Sequence, residues 1–234
     1  GHRVNLCGAM AVLHAAWRAG NVPVVYASSA AVYGNRSDQP CAETDLPMPI
    51  SPYAADKLAC EHQARAMAEV HGVASAGLRF FNVYGPRQDA TSAYSGVISC
   101  FCANRLAERP HVVFGDGGQS RDFIHVRDVV RGLLLAREAL LQDGAGAQVF
   151  NLCTGRSTTL LDLAGQLDAI TGGSPNAIDF VGARHGDIRN SRGCTRAAQA
   201  RLGFHAEIDL REGLADLWRW VATAPPPQAK GSAG

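Results

Sequence analysis

Long apolar runs are missing from this chain of 234 residues, and with them the means of crossing a bilayer as a helix. No basic stretch followed by an apolar one opens it, so no secretory signal is read and a soluble protein is expected. A surplus of charge is missing too. The formal net charge of +1 leaves no electrostatic case for a nucleic-acid or membrane partner. Paired cysteine spacings are absent: Cys7, Cys41, Cys60, Cys100, Cys102, Cys153 and Cys194 are odd in number and scattered, with no twin CxxC and no Cys/His set at zinc spacing. That excludes a structural zinc site, so no metal is expected, and reads as reduced thiols in a cytoplasmic protein. No internal repeat is visible. An initiating Met is also lacking. The chain opens Gly1-His2-Arg3 and goes almost at once into an Ala-rich helix, which suggests an N-terminally incomplete polypeptide, a processed end being the alternative.

What is present is an apolar fraction of 47%, enough for a substantial core, arranged in alternating elements. A helix is expected over 9–19, then a buried parallel-type strand over 22–27 that ends in Ser28-Ser29. A loop rich in Asp, Pro and Ser over 35–52 leads to a helix over 53–71, with Leu58, Ala59, His62, Ala66 and Val70 read as its inward face and Gly72 as its stop. A second buried strand follows over 76–83. This helix–strand–helix–strand order is half of a doubly wound α/β sheet, whose ligands sit at the carboxyl ends of the strands, where Ser29 and Asn82 fall. Further on, helices are expected over 97–106, 127–141, 159–171 and 210–222, with strands over 111–114 and 148–153. From 224 onward, three prolines and a Lys-Gly-Ser-Ala-Gly end read as a disordered tail.

Tyr53-Ala-Ala-Asp-Lys57 carries the chemistry. Residues four apart share a helix face, so Lys57 stands one turn from Tyr53 and favours its phenolate, a usable general base. Alone the spacing is weak, since amphipathic helices produce it without chemical purpose, and Ser29 alone is as readily a cap after a strand. Context decides. SSAAVYG (28–34), YAADK (53–57), RFFNVYGPRQD (79–89), YSGVIS (94–99), GDGGQSRDFIHVRDV (115–129) and RHGDIRNS (184–191) occur in this order over nearly the whole chain. The chain thereby resembles the extended short-chain dehydrogenases/reductases, and among them the NAD-dependent epimerase/dehydratase family, on the side of the UDP-glucose and UDP-N-acetylglucosamine 4-epimerases.

The resemblance implies a Rossmann-like doubly wound parallel sheet with a smaller interleaved α/β substrate region. Its NAD-binding part would comprise 1–83 and 120–156, its sugar-nucleotide part 84–119 and 157–223. It implies Ser29, Tyr53 and Lys57 as catalytic residues, and Asn5, Ser28, Tyr53, Lys57 and Phe80 around NAD. For a UDP-sugar it implies Ser29, Asn82, Val97, Arg121, Arg184, Asp187 and Ser191, the two arginines gripping the diphosphate and Asp187 the ribose. Ion pairing of Arg121 with Asp122 or Asp128, and a solvated loop charge at Arg184, are the plainer alternatives. A homodimer is implied for the full-length form.

Two departures from the family pattern bear on the reaction. Related 4,6-dehydratases carry an Asp-Glu pair directly after the catalytic hydroxyl, where this chain has Ala30-Ala31, so epimerisation is expected in preference to elimination. A dehydratase, a reductase of the same superfamily and an inactive remnant stay as alternatives. Ser191 is small where relatives differ in bulk beside the hexose, which would admit an N-acetyl group. The family's G-x-x-G-x-x-G turn, which cradles the cofactor pyrophosphate, is not in the sequence, and weak NAD binding by this chain alone is expected.

Overall fold

The computed structural model describes residues 1–36, 40–88, 96–144, 146–184 and 186–223; the tail expected from 224 onward lies outside the described residues. A π-helical turn, Arg3–Cys7, runs into α1 (Gly8–Arg18). Then come β1 (Val24–Ser29), a 3₁₀ turn (Ala30–Tyr33), α2 (Pro52–His71), β2 (Ser75–Phe80), β3 (Asn82–Tyr84), α3 (Val97–Leu106) and β4 (His111–Phe114). The second half holds β5 (Ser120–Arg121), β6 (Phe123–His125), α4 (Val126–Asp143), β7 (Ala147–Leu152), β8 (Thr158–Thr159), α5 (Leu160–Thr171), β9 (Ile178–Val181), β10 (Asn190–Ser191), α6 (Arg196–Leu202) and α7 (Leu210–Thr223).

The boundaries of α2 follow from local chemistry. The Ser51 hydroxyl accepts the Ala54 amide at 3.2 Å and Pro52 occupies the first turn, where no amide is missed. Gly72 ends the helix in the left-handed region, at φ 73°. Its inward face differs from the expectation. Ala54, Cys60, Glu61, Ala64 and Met67 are buried, whereas His62, Ala66 and Val70 are exposed, Val70 at 72%. The apolar periodicity misled because the true inner face contains a carboxylate, Glu61, that an apolar count skips.

Strands β1, β2 and β7 form a parallel sheet in that order, Tyr26 lying opposite Gly77 and Phe80 opposite Leu152. Helices cover both faces. Leu13, Ala16, Ala64, Met67 and Val73 close the α1–α2 side, and Leu78, Ile124, Ala136, Leu140, Phe150 and Phe204 the α4 side. Burying the larger of these side chains, at about 1.5–3 kcal/mol for each Leu, Ile, Val, Met or Phe, is what holds the layers together. A separate core of Phe101, Val113, Leu163, Leu167, Leu214 and Leu217 joins α3, α5 and α7. The expected strand over 76–83 is divided: at Phe81, whose amide donates to Leu152 O at 3.2 Å, the chain leaves the main sheet, and β3 pairs instead with β6. Two further small sheets, β4 with β9 and β10–β5–β8, rest on pairings that were not foreseen, their strands being only two to four residues long. α6 adds to the α4 side, where Ala198 and Leu202 pack into the core of the parallel sheet.

Candidate active site

Ser29 is the last residue of β1 and Phe80 the last of β2, adjacent in register, so two strand ends open into one cleft of about 1050 Å³. Asn5, Ser28, Ser29, Tyr53, Phe80, Asn82 and Val97 all line it. The N-terminal turn forms one wall, held to α2 by His2 Nδ1 at 2.7 Å from Asp56 Oδ1 and by the Cys60 thiol donating to Asn5 O at 3.4 Å. Tyr53 is 44% exposed, with its ring toward the cleft and Lys57 Nζ 5.7 Å from its centroid. Lys57 donates to Ala27 O at 3.0 Å, tying the helix to the strand end. The Ser29 oxygen accepts the Ala31 amide at 3.2 Å, so the plain capping role is real, and it faces the cleft as well.

Two smaller cavities adjoin. One, of about 280 Å³, is bounded by Ser29, Ala30, Ala31, Phe80, Asn82, Arg121, Asp187 and Ser191; the other, of about 550 Å³, by Asn82, Val97, Phe114, Gln119, Arg121, Arg184 and Asp187. Asn82 borders all three spaces. Every expected site residue thus borders one of them except Lys57, although the Ser28 side chain turns beneath the cleft.

Arg121 pairs with neither of its expected neighbours. Its Nη2 donates to Asp187 Oδ1 at 2.7 Å, across from Ser191 on β10. Asp122 instead collects the amides of Thr154, Gly155 and Gly193 and the Thr154 hydroxyl, and Asp128 binds Arg131. Burial lowers the Arg121 pKa against the pull of Asp187, so this guanidinium is poorly solvated. Arg184 lies over the Phe114 ring at 3.6 Å, an arrangement that holds a cation beside the third cavity. In that cavity Gln119 is 4% exposed, and its Oε1 has no partner while its Nε2 donates to Phe114 O.

Beneath the cleft lies a buried polar group that motif spacing does not disclose. The Ser28 hydroxyl, expected at the cofactor, donates to Glu61 Oε1 at 2.5 Å. Arg79 forks onto the same carboxylate at 2.9 and 2.7 Å and donates to the Tyr33 hydroxyl at 2.9 Å, which in turn donates to Asn151 Oδ1 at 2.7 Å. Burial opposes the charge on Arg79, and Glu61 and Tyr33 outweigh it, so its pKa is raised. The available signal was an arginine inside an apolar strand and a glutamate continuing the 53, 57 step of four.

Among the described residues no cluster of His, Cys, Asp and Glu could hold a metal ion, and no helix is long and apolar enough to cross a membrane. Comparison with known proteins gives the same site a lineage. A UDP-glucose 4-epimerase from Mycolicibacterium smegmatis is 37% identical over 216 residues, 91% of this chain and 66% of that protein. The UDP-N-acetylglucosamine 4-epimerase of Methanobrevibacter ruminantium M1, solved with UDP-N-acetylmuramic acid, superposes with a TM-score of 0.88 at 31% identity, over 94% of this chain and 69% of that one. MoeE5, solved with UDP-glucose and NAD, does so with 0.83 at 38% identity, over 93% and 71%. The chain therefore spans about two thirds of the length of these relatives. The model of the family described as "NAD dependent epimerase/dehydratase family" matches residues 2–153, and with the strand-end cleft, the Tyr53–Lys57 face and the Arg121–Asp187 pair in place, this chain belongs to that family.

Proposed function

We propose that this chain carries the proton-transfer and sugar-nucleotide side of an NAD-dependent UDP-hexose 4-epimerase. The observation that supports it most is that Tyr53, with Lys57 one turn along, and Ser29 meet at one cleft, while Arg121 and Asp187 bound the two cavities that adjoin it. The residues at the near wall, Asn5, Tyr53 and Phe80, fit the nicotinamide end of the cofactor, whereas the sequence supplies no G-x-x-G-x-x-G turn for its pyrophosphate. Held there, NAD would supply the reversible hydride acceptance at sugar C4 that the reaction needs.

Each side chain then has a task. Tyr53 takes the proton from the sugar 4-hydroxyl and gives it back after the sugar has turned, and Lys57 counters the charge left on the phenol oxygen. Ser29 hydrogen-bonds the 4-oxygen and orients that transfer. Arg121 and Arg184 bind diphosphate oxygens, for which a planar guanidinium fork is suited, and Asp187 takes the ribose hydroxyls. Ala30 and Ala31 line the hexose space with methyl groups, which cannot shuttle the protons an elimination requires. Ser191 leaves room there for an acetamido group.

UDP-glucose incubated with the chain and added NAD should yield UDP-galactose with no other product; a dehydrated or reduced sugar would assign the alternative reaction. Ser191→Tyr should suppress turnover of the N-acetylated sugar selectively, and equal losses on both sugars would discredit the acetamido assignment. All seven cysteines are free thiols, which supports a cytoplasmic setting, and a homodimer is our reading of the assembly, testable by light scattering.

A further inference from the structure

We propose that Glu61, acting with Ser28 and Arg79, is a positioning residue that holds the Tyr53–Lys57 face of α2 in register with the strand end bearing Ser29. The proposal rests on the epimerase reading for its functional meaning, though not for its test.

Tyr53, Lys57 and Glu61 follow one another at one-turn steps along α2. The first faces the cleft, and the other two grip consecutive residues of β1: Lys57 the carbonyl of Ala27, Glu61 the hydroxyl of Ser28. Ser29 comes next in the strand. It is bracketed on its other side as well, because it caps the 3₁₀ turn that ends at Tyr33, and the Tyr33 hydroxyl accepts from Arg79, the arginine that forks onto Glu61. Glu61 thus ties the helix bearing the base to both flanks of Ser29. All members are buried, with Ser28 2%, Glu61 7%, Arg79 4% and Tyr33 2% exposed.

A buried ion pair is a weak source of stability, because two desolvated charges recover little more than they lose. Apolar side chains of similar volume would serve the core as well. They would not fix the slide of a helix along a strand. Directional, charge-assisted hydrogen bonds do, and a catalytic pair displaced by about 1 Å loses about 100-fold in rate.

The test places 3-fluorotyrosine at position 53 of the 234-residue chain and records its ¹⁹F resonance at fixed pH, with neither cofactor nor substrate. Lys57→Met marks where the resonance goes when the ammonium leaves. Glu61→Leu/Arg79→Met removes one charge of each sign, so the net charge is unchanged and a shift reports geometry. Its resonance should move toward the Lys57→Met position, while circular dichroism shows a folded chain. Ser28→Ala, which deletes a single donor, should move it the same way and serves should the double variant fail to fold. A resonance that stays at its wild-type position, or moves away from that of Lys57→Met, overturns the proposal. Under turnover at saturating NAD, the double variant should lose at least about tenfold in kcat with KM within about twofold. A wild-type chain that forms no UDP-galactose counts against the epimerase reading alone, and the resonance still decides the positioning.

Discussion

Tyr53 is a half-exposed phenol with an ammonium one helical turn away, and at the scale of single residues the account stands on what that pair does. Tyr53→Phe keeps the ring and removes the proton-carrying oxygen, so kcat should fall by about 10²–10⁴ with UDP binding intact, as a turnover assay beside calorimetry would show. Arg121 makes a different contribution. It is largely enclosed and matched to Asp187, so Arg121→Met takes a charge-assisted donor from the diphosphate and leaves the carboxylate unpaired. UDP affinity should drop about 10- to 100-fold by calorimetry. An unchanged affinity would place the nucleotide elsewhere.

Elements explain how much of this could be read in advance. Helix α2 was legible because its signals are local: the Ser-Pro start, the glycine stop and the Tyr53–Lys57 step. So were the ends of α3 and β4, which fall where apolar runs begin and stop. What escaped depends on contacts far apart in the chain. The break at Phe81 is set by pairing of β3 with β6, some forty residues on, and the buried role of Glu61 by an arginine in the next strand. Motif spacing named residues that the fold gathers around the cleft and its two adjoining cavities, and was silent about the groups beneath them that meet each other. The 3₁₀ turn after Ser29 offers an element-scale test. Gly34 closes it at φ 66°, and a Cβ there would stand 2.1 Å from Met48 O, a backbone atom. Gly34→Ala should therefore cost about 2–4 kcal/mol and lower the unfolding midpoint on the order of 5 °C or more. A midpoint within a degree of wild type would mean that the 42–50 loop yields freely.

The molecule as a whole stores an acid sensitivity away from the cleft. His111 is fully buried, stacked on Phe101 at 4.3 Å with both ring nitrogens unpartnered, and burial lowers its pKa; burial and then Arg127 do the same for His125. A histidine that binds its proton less readily when folded leaves stability intact above the unfolded value near 6.5. That stability is lost as pH falls from there toward the folded value. Unfolding midpoints should decline from pH 6.5 to 5, with a shallower slope in His111→Leu; a flat profile in the wild type would remove the argument. The parallel sheet brings two strand ends and Tyr53 to one cleft, with Arg121 and Asp187 at the adjoining cavities, and because the sequence holds no G-x-x-G-x-x-G turn the account predicts that NAD has to be supplied in excess. Stoichiometric NAD retained by the purified chain would contradict that last point. The most direct test of the central claim is the rate of UDP-glucose to UDP-galactose conversion at saturating added NAD, measured side by side for the wild type and Tyr53→Phe. The account predicts conversion by the first and at least about a 100-fold slower rate in the second; equal rates, or none from the wild type, would contradict it.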